Sequence, residues 1–328
     1  MTPWVPDCLL SWDVDIGQQA LFDGAFQKLL AFTGGDLRLV YVIFLTVAHS
    51  LPTILINGTH YLIRLVLGDA ALEPYRWQAG RQPPPALVRK CIMYVGAAHI
   101  LSPLLPYSMF PRAYGYHPHL FSAPVPGILT LLLQYVVAFL FTDGIFYWTH
   151  RLLHTPMLYR WIHKQHHQFY VTIGLAAEYA HPIELLFGNV LPVFFASVVF
   201  RYHIAAFSSW VFIAMAGTTF HHSGFFFPLA PSDEFHDFHH SHVVCNFGSS
   251  PMWDWLCGTD KQWQDKRRGG SVVKVVQQSN TDVAGPAVLP PLSLGTAAVV
   301  AVPRGRAARS PSPAKSSAAR RKRSTSRK

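Results

Sequence analysis

Long apolar stretches alternate with short polar ones along this chain, and their lengths predict helices that cross a membrane. The first stretch, about residues 37–68, has no charged residue between Arg38 and Arg64. That gap exceeds the roughly 20 apolar residues that a transmembrane helix needs. Two further apolar stretches of sufficient length lie at about residues 91–110 and 127–148. The pattern therefore predicts three spans in the first half of the chain.

Two more apolar runs, at 185–200 and 204–220, are separated only by the polar residues 201–203. Either they form a tight helical hairpin, or they lie re-entrant in the bilayer. Both arrangements return the chain to the side from which it entered. We therefore expect an all-α integral membrane protein with about four transmembrane helices and a helical cap on the cytosolic side.

The composition supports a membrane protein and locates its excess charge at one end. Half of the chain is hydrophobic and 13% is charged, whereas about a quarter of a soluble domain is charged. Residues 303–328 contain ten basic and no acidic residues, which accounts for the whole net charge of +10. We predict a linker at 265–302 followed by a disordered basic tail. On a membrane protein such a tail either binds anionic lipid headgroups or is only a solvated extension, and nucleic acid is not an expected partner.

Basic residues also predict the orientation in the membrane. Residues 1–36 are acidic at their start, and the first basic residue is Lys28, whereas the loop 73–90 and the segment after the third span carry several basic residues. Because cytosolic loops are enriched in Lys and Arg, we expect a lumenal segment at 1–36 and a membrane domain at 37–264 with its histidine motifs in the cytosol. No basic region followed by an apolar core and cleavage site is evident, so no cleavable signal peptide is predicted.

Three histidine motifs follow the third span: H-R-L-L-H at 150–154, H-K-Q-H-H at 163–167 and H-D-F-H-H at 236–240. Helical residues three or four positions apart share a face, so each motif can present two imidazoles to one metal ion. Adjacent residues are turned about 100° apart on a helix, so the paired histidines can address two different ions. One such pair is common by chance, but three motifs in one chain indicate a dinuclear metal site.

The number of histidines favours an open site over a structural one. The motifs supply His150, His154, His163, His166, His167, His236, His239 and His240, and His181 and His222 lie between them. Ten imidazoles give two metals about five ligands each, whereas structural zinc is closed by four ligands. Imidazole suits iron, zinc, copper and nickel, so the residue types do not select the metal.

Four acidic residues near the motifs are candidates to orient imidazole N–H groups: Glu178, Glu184, Asp237 and Asp254. Metal-bound histidines usually donate their second N–H to such a group. Ordinary roles as helix caps or surface acids are the alternative for each of them. His49 and His60 stand alone in the first apolar stretch, and we interpret both as packing or interface residues.

The motifs, in this order and between apolar spans, resemble the fatty acid hydroxylase / sterol desaturase superfamily of membrane di-iron oxygenases. The resemblance covers about residues 128–260 and includes GLAAEYAHPIE (174–184) and N-F-G…W-D-W-L-C-G-T (246–259). The sequence AAEYAHP is particularly similar to C-4 methylsterol monooxygenases. The sequence HHSHVVCNF (239–247) is closer to cholesterol 25-hydroxylase.

The resemblance implies a multi-pass enzyme of the endoplasmic reticulum membrane with its histidine clusters and C-terminus in the cytosol. It implies two irons, O₂ as a substrate, and electrons from NAD(P)H through a cytochrome b5-type carrier. A sterol is the favoured lipid substrate. The implied ligands are the eight motif histidines and His222, with His181 as a further matching position.

Other functions are compatible with parts of this pattern. The nearest is a fatty acyl or sphingoid lipid hydroxylase, or a desaturase, of the same fold. A zinc-dependent membrane hydrolase would work without O₂, but the chain has no H-E-x-x-H motif. A metal transporter should carry its histidines within the spans, and here the motifs follow them.

Overall fold

A computed structural model of the chain describes residue 13, residues 16–226 and residues 234–270. The predicted basic tail and most of the predicted linker lie outside the described residues. The described part is all-α, and its β-structure consists of one isolated antiparallel bridge between Arg76 and Phe225. The prediction of an all-α integral membrane protein is confirmed.

Thirteen α-helices are present in the described residues, joined by shorter helical segments. The α-helices are α1 (Ile16–Phe32), α2 (Leu37–Leu67), α3 (Asp69–Leu72), α4 (Pro85–Leu101), α5 (Leu104–Tyr116), α6 (Ile128–Leu153), α7 (Pro156–Trp161), α8 (Pro182–Glu184), α9 (Leu191–Val199), α10 (Ile204–His221), α11 (Glu234–His242), α12 (Pro251–Cys257) and α13 (Lys261–Arg267). Glu73–Tyr75, His163–Gln168 and Gly174–Glu178 are 3₁₀-helices, and Leu185–Val190 is a π-helix that joins α8 to α9.

Within the described residues, five helical stretches are long and apolar enough to cross a membrane, one more than the approximate prediction of four. They are Leu37–Leu67, Pro85–Tyr116, Ile128–Leu153, Pro182–Val199 and Ile204–His221. The last two contain 18 residues each, which corresponds to about 27 Å of helix, close to the thickness of the hydrocarbon core. They are the two apolar runs whose arrangement the sequence left open, and each forms a helix of its own.

The exposed faces of these helices are apolar, as a lipid environment requires. Only 22% of the apolar window on α6 is buried inside the protein. Leu132, Val136, Phe139 and Leu140 on this helix are all exposed. In water such a large apolar surface would promote aggregation, whereas in a membrane the hydrocarbon chains of the lipids cover it.

The interior joins α2, α5, α9 and α10 around an aromatic cluster that includes Tyr41, Phe207 and Trp210. The Trp210 indole donates a hydrogen bond to the Val193 carbonyl at 3.1 Å, which ties α10 to α9. The carboxylate of Asp13 accepts a bond from the Leu129 N–H and so caps the start of α6. This cap lies at the opposite end of α6 from the histidine motifs.

Candidate metal centre

Nine histidines converge where α6, α10, α11 and the 3₁₀-helix His163–Gln168 meet. They are the eight motif histidines and His222, and each is at most 5% exposed. Their ligand atoms form two adjoining groups. The first contains His150, His154, His163, His167 and His239, and the second contains His166, His222, His236 and His240.

The inward-facing atoms of the nine rings are spaced as ligands of a common ion. Eight neighbouring pairs of Nε2 atoms within the groups lie 2.9–3.3 Å apart, and all ligand atoms of a group lie within 4.8 Å of one another. Two nitrogens bound to one metal at about 2.1 Å lie about 3 Å from each other. Lone pairs that face one another at this distance repel unless a cation lies between them, so the arrangement fits two metal ions.

Backbone carbonyl groups fix the orientation of four of the nine rings. The Nδ1 atoms of His150 and His239 donate to the carbonyls of Phe247 and Cys245, both at 2.6 Å. Similarly, the Nδ1 of His222 donates to the Thr218 carbonyl at 2.8 Å, and that of His240 to the Phe169 carbonyl at 3.0 Å. A carbonyl oxygen only accepts, so the proton of a neutral ring lies on Nδ1 and the lone pair lies on Nε2. These rings therefore present their lone pairs to the centre.

A carboxylate orients a fifth ring. Glu184 Oε1 lies 2.8 Å from His163 Nδ1, and both side chains are buried. An ionised Glu184 can only accept a hydrogen bond at this distance, and the His163 lone pair then faces inward, as a metal-ligating histidine requires. Of the four acidic residues that the sequence singled out, Glu184 is the one that contacts a histidine of either group.

The loop that follows α11 holds two of the carbonyl acceptors, and Asp254 holds the loop. The Asp254 carboxylate accepts the N–H groups of Phe247 at 2.8 Å and Gly248 at 2.6 Å, and the hydroxyl of Thr259 at 2.5 Å. A Cβ atom at position 248 would lie 2.9 Å from Asp254 Oδ2 and clash with the Ser250 carbonyl, so only glycine fits here. Asp254 thus acts on His150 through the backbone.

The second motif departs from the predicted geometry. His163–Gln168 is a 3₁₀-helix, in which positions three apart eclipse one another, so the rings of His163 and His166 stack at 5.4 Å. His163 shares its group with His167, and His166 belongs to the other group. In α11 the neighbours His239 and His240 also belong to different groups.

Burial keeps the imidazoles neutral. Burial, with further repulsion from neighbouring imidazoles, lowers the pKa of seven histidines of the centre that lie outside the membrane spans. In each of them the pKa lies well below the usual value for histidine. These are His154, His163, His166, His167, His236, His239 and His240. Burial also lowers the pKa of His222 to about 3. Metals bind neutral imidazole, so no proton has to leave these rings at neutral pH.

A small cavity of about 20 Å³ opens beside both groups of histidines. Histidines of both groups line it, together with Phe146 and Leu153 of α6 and Gly188 and Asn189 of the π-helix. A cavity of this size holds about one water-sized molecule. A diatomic molecule therefore fits beside the two groups of histidines.

The remaining candidates lie outside the two groups. The Nδ1 atom of His181 accepts the Ile183 N–H at 3.2 Å and caps α8. Asp237 accepts a hydrogen bond from Gln78 at 3.0 Å, and burial raises its pKa to about 6. Neither residue contacts a ring of the centre through these bonds.

Glu178 belongs to a separate cluster with His49 and His99. This cluster could not be recognised from the sequence because its members lie far apart in the chain. Burial disfavours ionisation of Glu178, but its contacts and charge interactions with the imidazoles of His49 and His99 outweigh burial and lower its pKa to about 2. Glu178 therefore carries a negative charge at neutral pH.

Comparison with known proteins identifies relatives of the segment that contains the centre. The family model for fatty acid hydroxylase matches residues 135–259. The human "Fatty acid hydroxylase domain-containing protein 2" is 37% identical over 143 residues, which are 44% of this chain and 43% of that protein. The chicken "Methylsterol monooxygenase 1" is 37% identical over 148 residues, which are 42% of this chain and 50% of that protein.

A rice protein (Oryza sativa subsp. indica), "Very-long-chain aldehyde decarbonylase GL1-11", is matched over a larger share of its length. It is 31% identical over 195 residues, which are 56% of this chain and 73% of that protein. The chain thus spans less than half of the human relative and nearly three quarters of the rice relative. No solved structure matches the chain.

Proposed function

Because the chain belongs to the fatty acid hydroxylase / sterol desaturase superfamily, and is thus an oxidoreductase, we propose that it hydroxylates or oxidises a sterol with O₂. The observation that carries this proposal is the convergence of nine buried Nε2 atoms in one group of five and one of four. Nine neutral imidazoles divided between two ions would leave the ions electron-poor and able to accept a diatomic ligand.

We assign the five histidines of the first group to one iron and the four of the second group to another. When bound, the two irons supply reduction of O₂ with electrons that originate from NAD(P)H and arrive through a cytochrome b5-type carrier. His181 is excluded from this assignment because its Nδ1 lone pair is already used by the Ile183 N–H.

The side chains around the centre have three tasks in this mechanism. The backbone carbonyls and Glu184 hold the protons of five rings on Nδ1, so the rings cannot turn away from the centre. Burial of all nine imidazoles excludes bulk water from the atoms that would hold the metals. Phe146 and Leu153 form an apolar wall against which a lipid C–H bond is held.

A sterol is favoured by the methylsterol monooxygenase relatives and by the sequence AAEYAHP, whose Ala177 lines the cavity. A very-long-chain aldehyde is the second candidate, because the rice relative named for that substrate is matched over 73% of its length. Fatty acyl and sphingoid lipids remain the substrates to be compared with these two.

We place the enzyme in the endoplasmic reticulum membrane with the histidine centre and the C-terminus toward the cytosol. Arg151, Arg160 and Lys164 accompany the first two motifs, and basic residues next to spans favour the cytosolic side. The cytosolic side is also where a cytochrome b5-type carrier can reach the centre.

The test is an assay of the full-length protein purified in detergent, with cytochrome b5, its reductase and NADH. The substrates are a 4,4-dimethylsterol, cholesterol, a fatty acyl lipid and a very-long-chain aldehyde. We expect at least two irons per chain and a hydroxylated or oxidised sterol that forms only with both O₂ and NADH. Turnover without O₂ and reductant, together with zinc alone in protein from iron-rich medium, would support a hydrolase and contradict the proposal.

A further inference from the structure

A second cluster of metal-binding side chains lies apart from the nine-histidine centre. His49 of α2, His99 of α4 and Glu178 at the end of the 3₁₀-helix Gly174–Glu178 bring their ligand atoms within 4.8 Å of one another. His49 Nε2 lies 3.2 Å from Glu178 Oε2, and His99 Nε2 lies 3.1 Å from Glu178 Oε1. The three residues come from three separate elements and converge on one point.

We propose that His49, His99 and Glu178 bind a divalent transition-metal ion, separate from the metals of the nine-histidine centre. Two imidazoles and one carboxylate form a ligand set used for zinc and for non-haem iron(II). The separations between the ligand atoms match those of atoms that share one ion, as in the larger centre. The remaining coordination positions would be filled by water.

Charge balance favours a cation at this position. The Glu178 side chain is only 7% exposed, and the ion-pair partners that the described part of the chain gives it are the two imidazoles. Neither imidazole carries a permanent charge. A buried carboxylate without a cationic partner is costly, and a divalent ion removes this cost directly.

The surrounding hydroxyl groups are arranged as in a metal site. Ser50 Oγ lies 2.7 Å from His99 Nδ1 and 3.5 Å from His49 Nδ1, and the Thr53 hydroxyl donates to Glu178 Oε1 at 2.8 Å. With both Nε2 atoms on a metal, both Nδ1 protons can be donated to Ser50, whose oxygen accepts two bonds. With neutral rings that donate Nε2–H to Glu178 instead, Ser50 has one proton for two Nδ1 lone pairs.

The proposed ion would connect α2 and α4, which belong to the first two candidate spans, to the segment that lines the cavity of the dinuclear centre. Ala177, the residue before Glu178, lines the cavity beside the two histidine groups. Thr53 and Thr219 hydroxyls lie 3.5 Å apart, so the same position also contacts the end of α10 that leads to His222. The ion would therefore stabilise the arrangement of helices without taking part in the reaction.

The test is the total content of zinc, iron and other transition metals per chain, measured by mass spectrometry on the full-length purified protein. We expect His99→Ala and Glu178→Ala to contain about one metal fewer than the unchanged protein. His60→Ala is the matched control, because His60 lies on the same helix α2 and packs against Phe220 and Phe225 instead. Equal metal content in all four proteins would overturn the proposal in favour of a protonated imidazole pair.

Titration of the unchanged protein with Zn²⁺ after removal of its metals gives an answer that does not depend on how the variants fold. Three equivalents bound per chain support the additional site, and two equivalents refute it. The variant His236→Ala alters the nine-histidine centre and leaves His49, His99 and Glu178 in place, so it tests the additional site independently of the proposed function. If the nine-histidine centre fails to bind iron, the unchanged protein should still contain one metal more than the His99→Ala and Glu178→Ala variants.

Discussion

The nine-histidine centre and the His49–His99–Glu178 cluster use the same side chain in different ways. In the centre, Nδ1 atoms of four rings donate to backbone carbonyls, and every ring is buried. In the cluster, the Nδ1 atoms face the hydroxyl of Ser50, and the His49 side chain is 31% exposed. A carbonyl only accepts a hydrogen bond, whereas a hydroxyl also donates one.

This difference separates a fixed site from an adaptable one. The carbonyls of the centre hold the lone pairs of their rings inward whatever occupies the site. Ser50 instead permits either tautomer, so the cluster can hold a proton or a metal ion. A carboxylate balances the charge in the cluster, while the neutral imidazoles leave the full charge of the metals in the centre. The centre is therefore the part suited to redox chemistry, and the cluster is suited to holding helices together.

The largest difference between the two regions should follow the loss of one imidazole. His236→Ala removes a ring whose Nε2 lies 2.9 Å from His222 Nε2 and 3.1 Å from His240 Nε2. We expect turnover to fall by more than about 100-fold, the upper end of the loss seen when only an orienting partner is removed. His99→Ala should reduce turnover far less. Parallel assays of the two variants with equal membrane insertion measure this, and equal turnover in both would erase the distinction.

Glu184, the carboxylate that contacts the centre within the described part of the chain, provides the next test. Glu184→Ala leaves the Nδ1 of His163 without its acceptor at 2.8 Å, and we expect metal affinity or activity to fall about 10–100-fold. Glu184→Gln retains an oxygen that can accept the same proton and should restore a large part of the loss. Competition with a chelator measures the affinity. If the alanine variant binds metal as tightly as the unchanged protein, the carboxylate has no orienting role.

Asp254 tests whether the loop, and not a side chain, holds His150. Asp254→Ala leaves the buried N–H groups of Phe247 and Gly248 without an acceptor, at a cost of about 1–3 kcal/mol for each. We expect a lower Tm and a modest loss of metal, because the Phe247 carbonyl shifts away from His150. Thr259→Val removes only one donor to the same carboxylate and should cost about 1 kcal/mol. Similar melting temperatures for both variants would contradict the anchoring role of Asp254.

Much of this arrangement could be predicted from the sequence, because periodicity is local information. The apolar runs predicted the positions of the spans, and the histidine spacing predicted neighbours that turn toward different sites. The 3₁₀-helix at His163–Gln168 was not predicted, since the spacing H-x-x-H-H is compatible with both kinds of helix. The carbonyl acceptors carry no signal in the sequence, because every residue has a carbonyl group.

The cluster at Glu178 could not be predicted for a related reason. His49 and His99 are isolated in different spans, and each alone is typical of a packing residue. Only the fold brings them within reach of Glu178, which the sequence linked to the histidine motifs instead. Spacing along one helix identifies ligands that come as pairs, whereas single ligands from separate helices require the tertiary structure.

The smallest effect is expected at His181, which distinguishes nine ligands from ten. Its Nδ1 accepts the Ile183 N–H at 3.2 Å, so the ring acts as a helix cap, the opposite use of Nδ1 from that in the centre. His181→Ala should cost about 1 kcal/mol of stability, as for other caps, and leave the metal content unchanged. Metal analysis and thermal unfolding of this variant beside Glu184→Ala decide the matter. A loss of metal as large as that of Glu184→Ala would make His181 a ligand, and the contrast between capping and ligating histidines would then fail.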